Sequence, residues 1–190
     1  MTDDLKVLGL AGSLRRESYN RALLRAAVRL APPGMTIETW DRLGEFPPYD
    51  EDLRAQGQPE PAADLWRRIG EADGLLVVTP EYNYGIPGVL KNAVDWVSRP
   101  PAESPLRDKP AALMGASTGV SGAIRAQGAL RQVFSFTETP VLYKPGVFVA
   151  RCAASFDREG GELVDAEAIE AVRAELAAFA GWIRRWRDGR

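Results

Sequence analysis

The sequence contains no histidine and a single cysteine, Cys152. Without histidine, the chain cannot form a Ser-His-Asp triad, a histidine-based metal site or an imidazole acid/base. One cysteine cannot form a disulfide within the chain, a CxxC redox pair or a thiolate metal cage. If the protein carries out difficult redox chemistry, a bound organic cofactor must therefore supply it.

Long apolar runs and an excess of one charge are also missing. No run approaches the roughly 18 apolar residues of a membrane-spanning helix, and the first segment, MTDDLKVLGLAG, lacks the basic region of a secretory signal. The formal net charge is −2, with 24 basic against 26 acidic residues, so neither a polycation for nucleic acid nor an acidic tail is indicated. We expect a cytoplasmic protein with no nucleic-acid or membrane partner.

Short apolar runs alternate with amphipathic stretches over 190 residues, which suits one globular domain spanning residues 1–190. The predicted strands are Lys6–Leu10, Met35–Trp40, Gly74–Thr79, Ala111–Ala116, and a fifth made of Val141–Tyr143 and Gly146–Ala150, broken at Pro145. The predicted helices are Asn20–Ala31, Ala62–Ala72, Pro87–Val97, Gly122–Phe136 and Asp165–Arg187, the last with Asp165 as N-cap. Two segments are predicted to be irregular: the loop Phe46–Pro61 and the polar connector Pro100–Lys109.

This order of strand followed by helix predicts a mostly parallel sheet with helices on both faces. At this chain length it favours an α/β, flavodoxin-like three-layer sandwich with five parallel strands in the order 2-1-3-4-5. In such sheets ligands bind beyond the carboxyl ends of the strands, at the switch point between the first and third strands. The loops after the first, third and fourth strands are therefore the candidate site.

The loop after the first strand, Gly12–Asn20 (GSLRRESYN), presents hydroxyl, amide and guanidinium groups at a helix N-terminus. The free backbone N–H groups and partial positive charge of such a terminus suit a phosphomonoester. The alternative is a helix-capping loop whose arginines are solvated. Because the loop has neither a GK[ST] sequence nor a GxGxxG turn, a mononucleotide is favoured over ATP or a Rossmann-bound dinucleotide.

The other two loops complete the candidate site. Thr79–Gly88 (TPEYNYGIPG) contains two prolines and two glycines that restrict its shape. Its backbone groups suit the edge of a planar heterocycle, and Tyr82 and Tyr84 suit the face of such a ring. Ala116–Gly122 (ASTGVSG) has small residues that permit close backbone approach to a ligand. The alternatives are two ordinary turns, one with surface tyrosines and one rich in glycine.

Three segments resemble the NADPH-dependent FMN reductase family, which includes bacterial chromate, quinone and azo-dye reductases. They are GSLRRESYN (Gly12–Asn20), TPEYNYGIPGVLKNAVDW (Thr79–Trp96) and GASTGVSGAIRAQGALR (Gly115–Arg131). The second is the most specific, and the resemblance extends from the first strand through the helix after the fourth. It implies a flavodoxin-like fold, bound FMN, and a homodimer or homotetramer.

The resemblance also implies roles for individual residues. The FMN phosphate would be held by Ser13, Arg15, Ser18 and Asn20. The isoalloxazine ring would be lined, largely through backbone groups, by Pro80, Glu81, Tyr82 and Asn83, and its other side would be closed by Ser117 and Gly119. Where the family often has two adjacent glycines, this chain has Gly122 and Ala123. The candidate interface residues, or else members of a solvated helix face, are Arg125, Gln127 and Arg131.

The resulting hypothesis is an FMN-dependent oxidoreductase that takes hydride from NADPH or NADH and reduces a small-molecule electron acceptor in a ping-pong reaction. Quinones, free flavin, azo compounds and metal oxyanions all suit an open flavin face. The flavin carries the electrons, so no catalytic acid or base is assigned. Two alternatives are a flavodoxin-like electron carrier and a non-redox mononucleotide-binding module.

Overall fold

The computed structural model describes residues 4–157 and 161–189. Five strands form one parallel sheet in the order β2-β1-β3-β4-β5, so the predicted flavodoxin-like order is confirmed. The strands are β1 (Leu5–Ala11), β2 (Met35–Trp40), β3 (Gly74–Val78), β4 (Ala111–Ala116) and β5 (Val147–Val149). Every residue of β3 and β4 is buried, as expected for central strands covered on both faces.

The helices form the two outer layers of the sandwich. They are α1 (Tyr19–Arg29), α2 (Glu51–Ala55), α3 (Glu60–Glu71), α4 (Gly88–Val97), α5 (Ile124–Phe136) and α6 (Ala166–Asp188). Successive side chains of a strand point to opposite faces, so the sheet supplies two separate cores. Helices α1 and α6 pack on one face, and α3, α4 and α5 pack on the other.

The longest helix, α6, is amphipathic. Its buried stripe includes Val172, Leu176, Phe179 and Ile183 at three- and four-residue spacing. The Asp165 side chain accepts a hydrogen bond from the backbone N–H of Ala168, which confirms the predicted N-cap. Across residues 4–157 and 161–189, no helix combines the length and the apolar character needed to cross a membrane.

The predicted Phe46–Pro61 loop is wrong in part, because it contains α2 and the start of α3. The Asp50 side chain caps α2 by accepting hydrogen bonds from the N–H groups of Asp52 and Leu53. Pro61 lies in the first turn of α3, where a missing N–H group costs nothing. Pro61 thus belongs to the start of a helix and not to the end of a loop.

The first half of the predicted fifth strand is also wrong. Val141 makes only an isolated bridge to Ala111, and β5 is confined to Val147–Val149. Between them, residues 143–146 leave the sheet around Pro145, which has no N–H group to donate to a neighbouring strand. The predicted start of the next-to-last helix at Gly122 is two residues early, because Gly122 and Ala123 both have positive φ.

Candidate functional site

Three loops meet at the carboxyl ends of β1, β3 and β4: the first loop (residues 12–18), the second loop (79–87) and the third loop (117–123). Between them lies a cleft of about 120 Å³. Eight predicted site residues line it: Ser13, Arg15, Ser18, Asn20, Pro80, Glu81, Tyr82 and Ser117. The predicted Asn83 and Gly119 lie outside its lining. The lining residues that sequence analysis missed are Tyr19, Ala116, Thr118 and Cys152.

The first loop is an array of hydrogen-bond donors that lack acceptors. Among the described residues, the backbone N–H groups of Leu14, Arg16 and Glu17 have no protein acceptor. The exposed guanidinium groups of Arg15 and Arg16 have no carboxylate partner in that same part of the chain. Because α1 begins immediately afterwards, its partial positive charge adds to theirs. This donor set fits a phosphate group.

Two serine hydroxyls lie beneath this array. Ser13 and Ser18 are buried, and the Oγ of Ser13 lies 3.4 Å from the hydroxyl of Tyr82. The Oγ of Ser18 caps α1 by accepting a hydrogen bond from the N–H of Asn20 at 3.2 Å. A hydroxyl that accepts in this way retains its own proton. Ser18 can therefore stabilise the helix and donate to an anion in the cleft.

Asn20 lines the cleft and also has a structural role. Its side-chain amide donates to the carbonyl of Ala116 at 2.9 Å, and its carbonyl accepts from the N–H of Ala116 at 2.9 Å. Both polar atoms of this buried side chain are thus engaged with the end of β4. Asn20 therefore joins α1 to the end of β4, and the second hydrogen of its amide is still a donor for an anion in the cleft.

The second loop contains a tight reverse turn, here called the 82–85 turn. Tyr82 and Gly85 exchange backbone hydrogen bonds of 3.1 Å and 2.9 Å. The two central residues have positive φ, 50° for Asn83 and 64° for Tyr84, as a type I′ turn requires. Asparagine tolerates this conformation, but a tyrosine there is strained by roughly 1–3 kcal/mol. Asn83 therefore shapes the loop from outside the cleft.

A carboxylate–guanidinium pair joins the second loop to α5. Oε1 of Glu81 accepts from Nε of Arg125 at 2.6 Å, and Oε2 accepts from the backbone N–H of Arg125 at 3.0 Å. Burial alone would raise the pKa of Glu81, but the hydrogen bonds from Arg125 outweigh it and the pKa is lowered. The guanidinium carbon of Arg125 also lies 3.8 Å from the ring centroid of Tyr84.

The third loop is fixed by its neighbours beside β5. Ser117 donates its N–H to Val149 and accepts from Cys152, both at 3.0 Å. The Oγ of Ser117 accepts from the N–H of Gly119 at 3.0 Å, and the carbonyl of Gly119 accepts from Arg151 at 2.8 Å. Gly119 thus holds the third loop in the shape in which Ser117 lines the cleft.

Glycine is required at position 122 but not at position 123. Gly122 has φ of 55°, and a Cβ atom there would lie 2.7 Å from the carbonyl carbon of Phe148. Ala123 has φ of 65° and is fully buried, so its methyl group is accommodated at the cost of backbone strain. The Gly-Ala pair in place of two glycines preserves the turn that begins α5.

Cys152 contributes shape to the cleft and has no reactive thiolate. Its side chain is buried, and burial raises the pKa of its thiol to about 11. The thiol therefore keeps its proton at neutral pH, and a protonated thiol is a poor nucleophile.

Comparison with known proteins identifies the family of the chain. The family model described as "NADPH-dependent FMN reductase" matches residues 5–154. An NAD(P)H-dependent FMN reductase of Pseudomonas aeruginosa is 50% identical over 188 residues, covering 98% of this chain and 100% of the relative. A quinone reductase of Escherichia coli K12 is 37% identical, covering 97% and 98%.

A solved structure is similar as well. The flavoenzyme FerB, an NAD(P)H:(acceptor) oxidoreductase from Paracoccus denitrificans, superposes with a TM-score of 0.86 at 32% identity, covering 95% of this chain and 98% of its own. The resemblance inferred from the three loop segments is thereby confirmed. The chain belongs to the NADPH-dependent FMN reductase family.

Proposed function

We propose that the protein binds FMN in the three-loop cleft and passes electrons from NADPH or NADH to quinones. The observation that carries this proposal is the unpartnered donor set of the first loop, placed at the switch point of a flavodoxin-like sheet. Quinones are favoured as acceptors because the relatives at 37% identity include proteins named quinone reductase. The alternative acceptors are free flavin, azo compounds and metal oxyanions.

The residues of the cleft divide into two groups. The FMN phosphate would be held by the guanidinium group of Arg15, the hydroxyls of Ser13 and Ser18, the second amide hydrogen of Asn20, and the free amides of the first loop. The isoalloxazine ring would lie against Pro80, Glu81 and Tyr82 of the second loop, with Ser117 on its other side. The chemistry that FMN supplies when bound is hydride acceptance and delivery.

The protein's own side chains bind and orient, and none is assigned a proton-transfer role. The carboxylate of Glu81 is held by Arg125, and the thiol of Cys152 keeps its proton. Neither group is therefore available as a general base.

The rim of the cleft is open and apolar. Leu14, Tyr82 and Tyr84 are exposed on the first and second loops, and Val120 is exposed on the third. An exposed apolar rim suits a nicotinamide ring and then a quinone binding in turn at the same place. This arrangement supports the ping-pong order, in which the first product leaves before the acceptor enters.

Initial-rate kinetics of the FMN-loaded protein test this proposal. With benzoquinone as acceptor and NADPH or NADH as donor, we expect double-reciprocal plots that are parallel at different donor concentrations. Intersecting plots would contradict the ping-pong order. Absence of turnover by protein that retains FMN would favour the electron carrier or the binding module.

We further propose a homodimer or homotetramer formed through the exposed side of α5. Tyr84, Ile124 and Phe136 are large apolar side chains that lie exposed on or beside this helix. Gln127 is 1% exposed and cannot belong to the surface, so its earlier assignment to an interface is wrong. Sedimentation velocity should show an oligomer that Ile124→Glu shifts toward monomer, and a wild-type monomer would contradict the proposal.

A further inference from the structure

Arg125 contacts the second loop at two points. Its guanidinium group is bound by Glu81, just before the 82–85 turn, and it covers the ring of Tyr84 inside that turn. We propose that Arg125 is a positioning residue that holds the 82–85 turn in the conformation that binds FMN. This inference rests on the proposed FMN site.

The 82–85 turn needs such support because of Tyr84. A bulky residue with φ of 64° is an uncommon backbone state that the surrounding structure must maintain. Burial does not maintain it here, because Tyr84 is 73% exposed. The hydrogen bonds between Tyr82 and Gly85 close the turn, but they place no restraint on the tyrosine ring itself.

The contact between Arg125 and Tyr84 is closer than the comparable contacts of this chain. The guanidinium carbon lies 3.8 Å from the ring centroid, whereas Arg99, Arg131 and Arg185 lie 5.3–5.8 Å from theirs. A cation at that distance over a tyrosine face is attracted by the ring quadrupole. The contact therefore favours the conformation in which Tyr84 has positive φ.

Glu81 fixes the guanidinium group from the opposite side. Its side chain is 6% exposed, and it holds both the Nε and the backbone N–H of Arg125. Without the guanidinium group, a nearly buried carboxylate would lose its cation, and a buried unpaired charge is unfavourable. Loss of Arg125 thus disturbs the loop at Glu81 and at Tyr84 together.

The contacts of Arg125 with Glu81 and Tyr84 lie next to the cleft. Glu81 and Tyr82 line the cleft, and Arg125 belongs to the first turn of α5, directly after the third loop. These contacts therefore hold the second loop against the third. A loop that is already ordered binds more tightly because less ordering is left to occur upon binding.

Two readouts test the proposal, one with FMN and one without. In FMN titrations of the apoprotein followed by fluorescence quenching, Arg125→Ala should raise Kd roughly 5- to 20-fold. Arg131→Ala is the matched control. Arg131 lies on the same helix as Arg125 and covers the ring of Tyr143, but it does not line the cleft. In hydrogen exchange of the apoprotein, the amides of Tyr82 and Gly85 should exchange faster in Arg125→Ala and at the wild-type rate in Arg131→Ala.

A second substitution separates positioning from a direct contact with FMN. Glycine adopts positive φ without strain, so Tyr84→Gly in the Arg125→Ala background should restore the part of the FMN affinity and of the slow exchange that is lost at Tyr84. A wild-type Kd and wild-type exchange in Arg125→Ala would overturn the proposal, and so would a loss that glycine does not restore even in part. If the wild-type apoprotein binds no FMN, the proposed function fails, while the exchange rates still decide whether Arg125 holds the turn.

Discussion

At the scale of single residues, Arg15 lines the cleft and has no carboxylate partner in residues 4–157 and 161–189. Replacing it with alanine should weaken FMN binding by about 1.5–3 kcal/mol, the range for a charge-assisted contact. Arg29→Ala provides a control, because Arg29 lies in the last turn of the same helix that the first loop precedes. Equilibrium titration with FMN measures both, and an unchanged Kd in Arg15→Ala would remove Arg15 from the phosphate site.

Glu175 is a buried acid whose protonation affects the stability of the fold. Its side chain is fully buried on α6, and neither carboxyl oxygen has a hydrogen-bond partner among the described residues. Burial raises its pKa from 4.5 to about 8, opposed by the backbone at Val147 and by the charge of Arg131 on α5. The carboxyl group is therefore mainly protonated at neutral pH in the folded protein.

This protonation predicts a pH-dependent stability. Between about pH 4.5 and pH 8 the folded chain holds a proton that the unfolded chain has lost, so the free energy of unfolding falls as the pH rises. The fall approaches about 1.4 kcal/mol per pH unit. Urea unfolding at several pH values should show this trend in the wild type relative to Glu175→Gln. If the two proteins have parallel profiles, Glu175 is not the titrating group.

At the scale of elements, the start of α5 depends on one glycine. Gly122→Ala would force a methyl group against the backbone of Phe148 at positive φ, and should destabilise the fold by more than about 1 kcal/mol. Gly128 is exposed inside the same helix and has open space around it, so Gly128→Ala should stabilise by about 0.5–1 kcal/mol. Thermal unfolding of both variants checks the opposite signs; shifts of equal sign would contradict this account.

Elements with a strong local pattern were predicted correctly from the sequence. The buried runs of β3 and β4 and the apolar stripe of α6 each follow from a repeated spacing of side chains. The errors fall where the pattern is short. Helix α2 has only five residues and no buried side chain, so it has no apolar stripe, and its signals are the Asp50 cap and the charges of its first and last turns. Val141 is apolar, but its sheet pairing ends where the chain turns away.

The sequence predicted which loops form the site, but it did not predict the contacts between those loops. Parallel strand order places three loops at one edge of the sheet, which explains why eight of the predicted residues line one cleft. The pairing of Asn20 with Ala116 spans 96 positions, and that of Glu81 with Arg125 spans 44. Contacts between distant loops leave no local pattern, so the structure was needed to find them.

At the scale of the whole molecule, each face of the sheet has its own hydrophobic core. Helices α1 and α6 bury one core and α3, α4 and α5 the other, while the cleft forms at the sheet edge between these layers. The core thus positions the three loops, and contacts between the loops and their neighbours fix their shapes. The chain belongs to the NADPH-dependent FMN reductase family, and the unpartnered donors of the first loop lie in this cleft among the described residues, so FMN binding there is the central claim.

The absorbance spectrum of the purified protein tests that claim most directly. The protein is saturated with FMN, desalted, and recorded anaerobically before and after NADPH, with NADH as a second donor. We predict flavin bands that survive desalting, bleach on addition of NADPH, and return when benzoquinone is added. Loss of the flavin on desalting would contradict the three-loop site, and retained flavin that neither donor bleaches would contradict the oxidoreductase function.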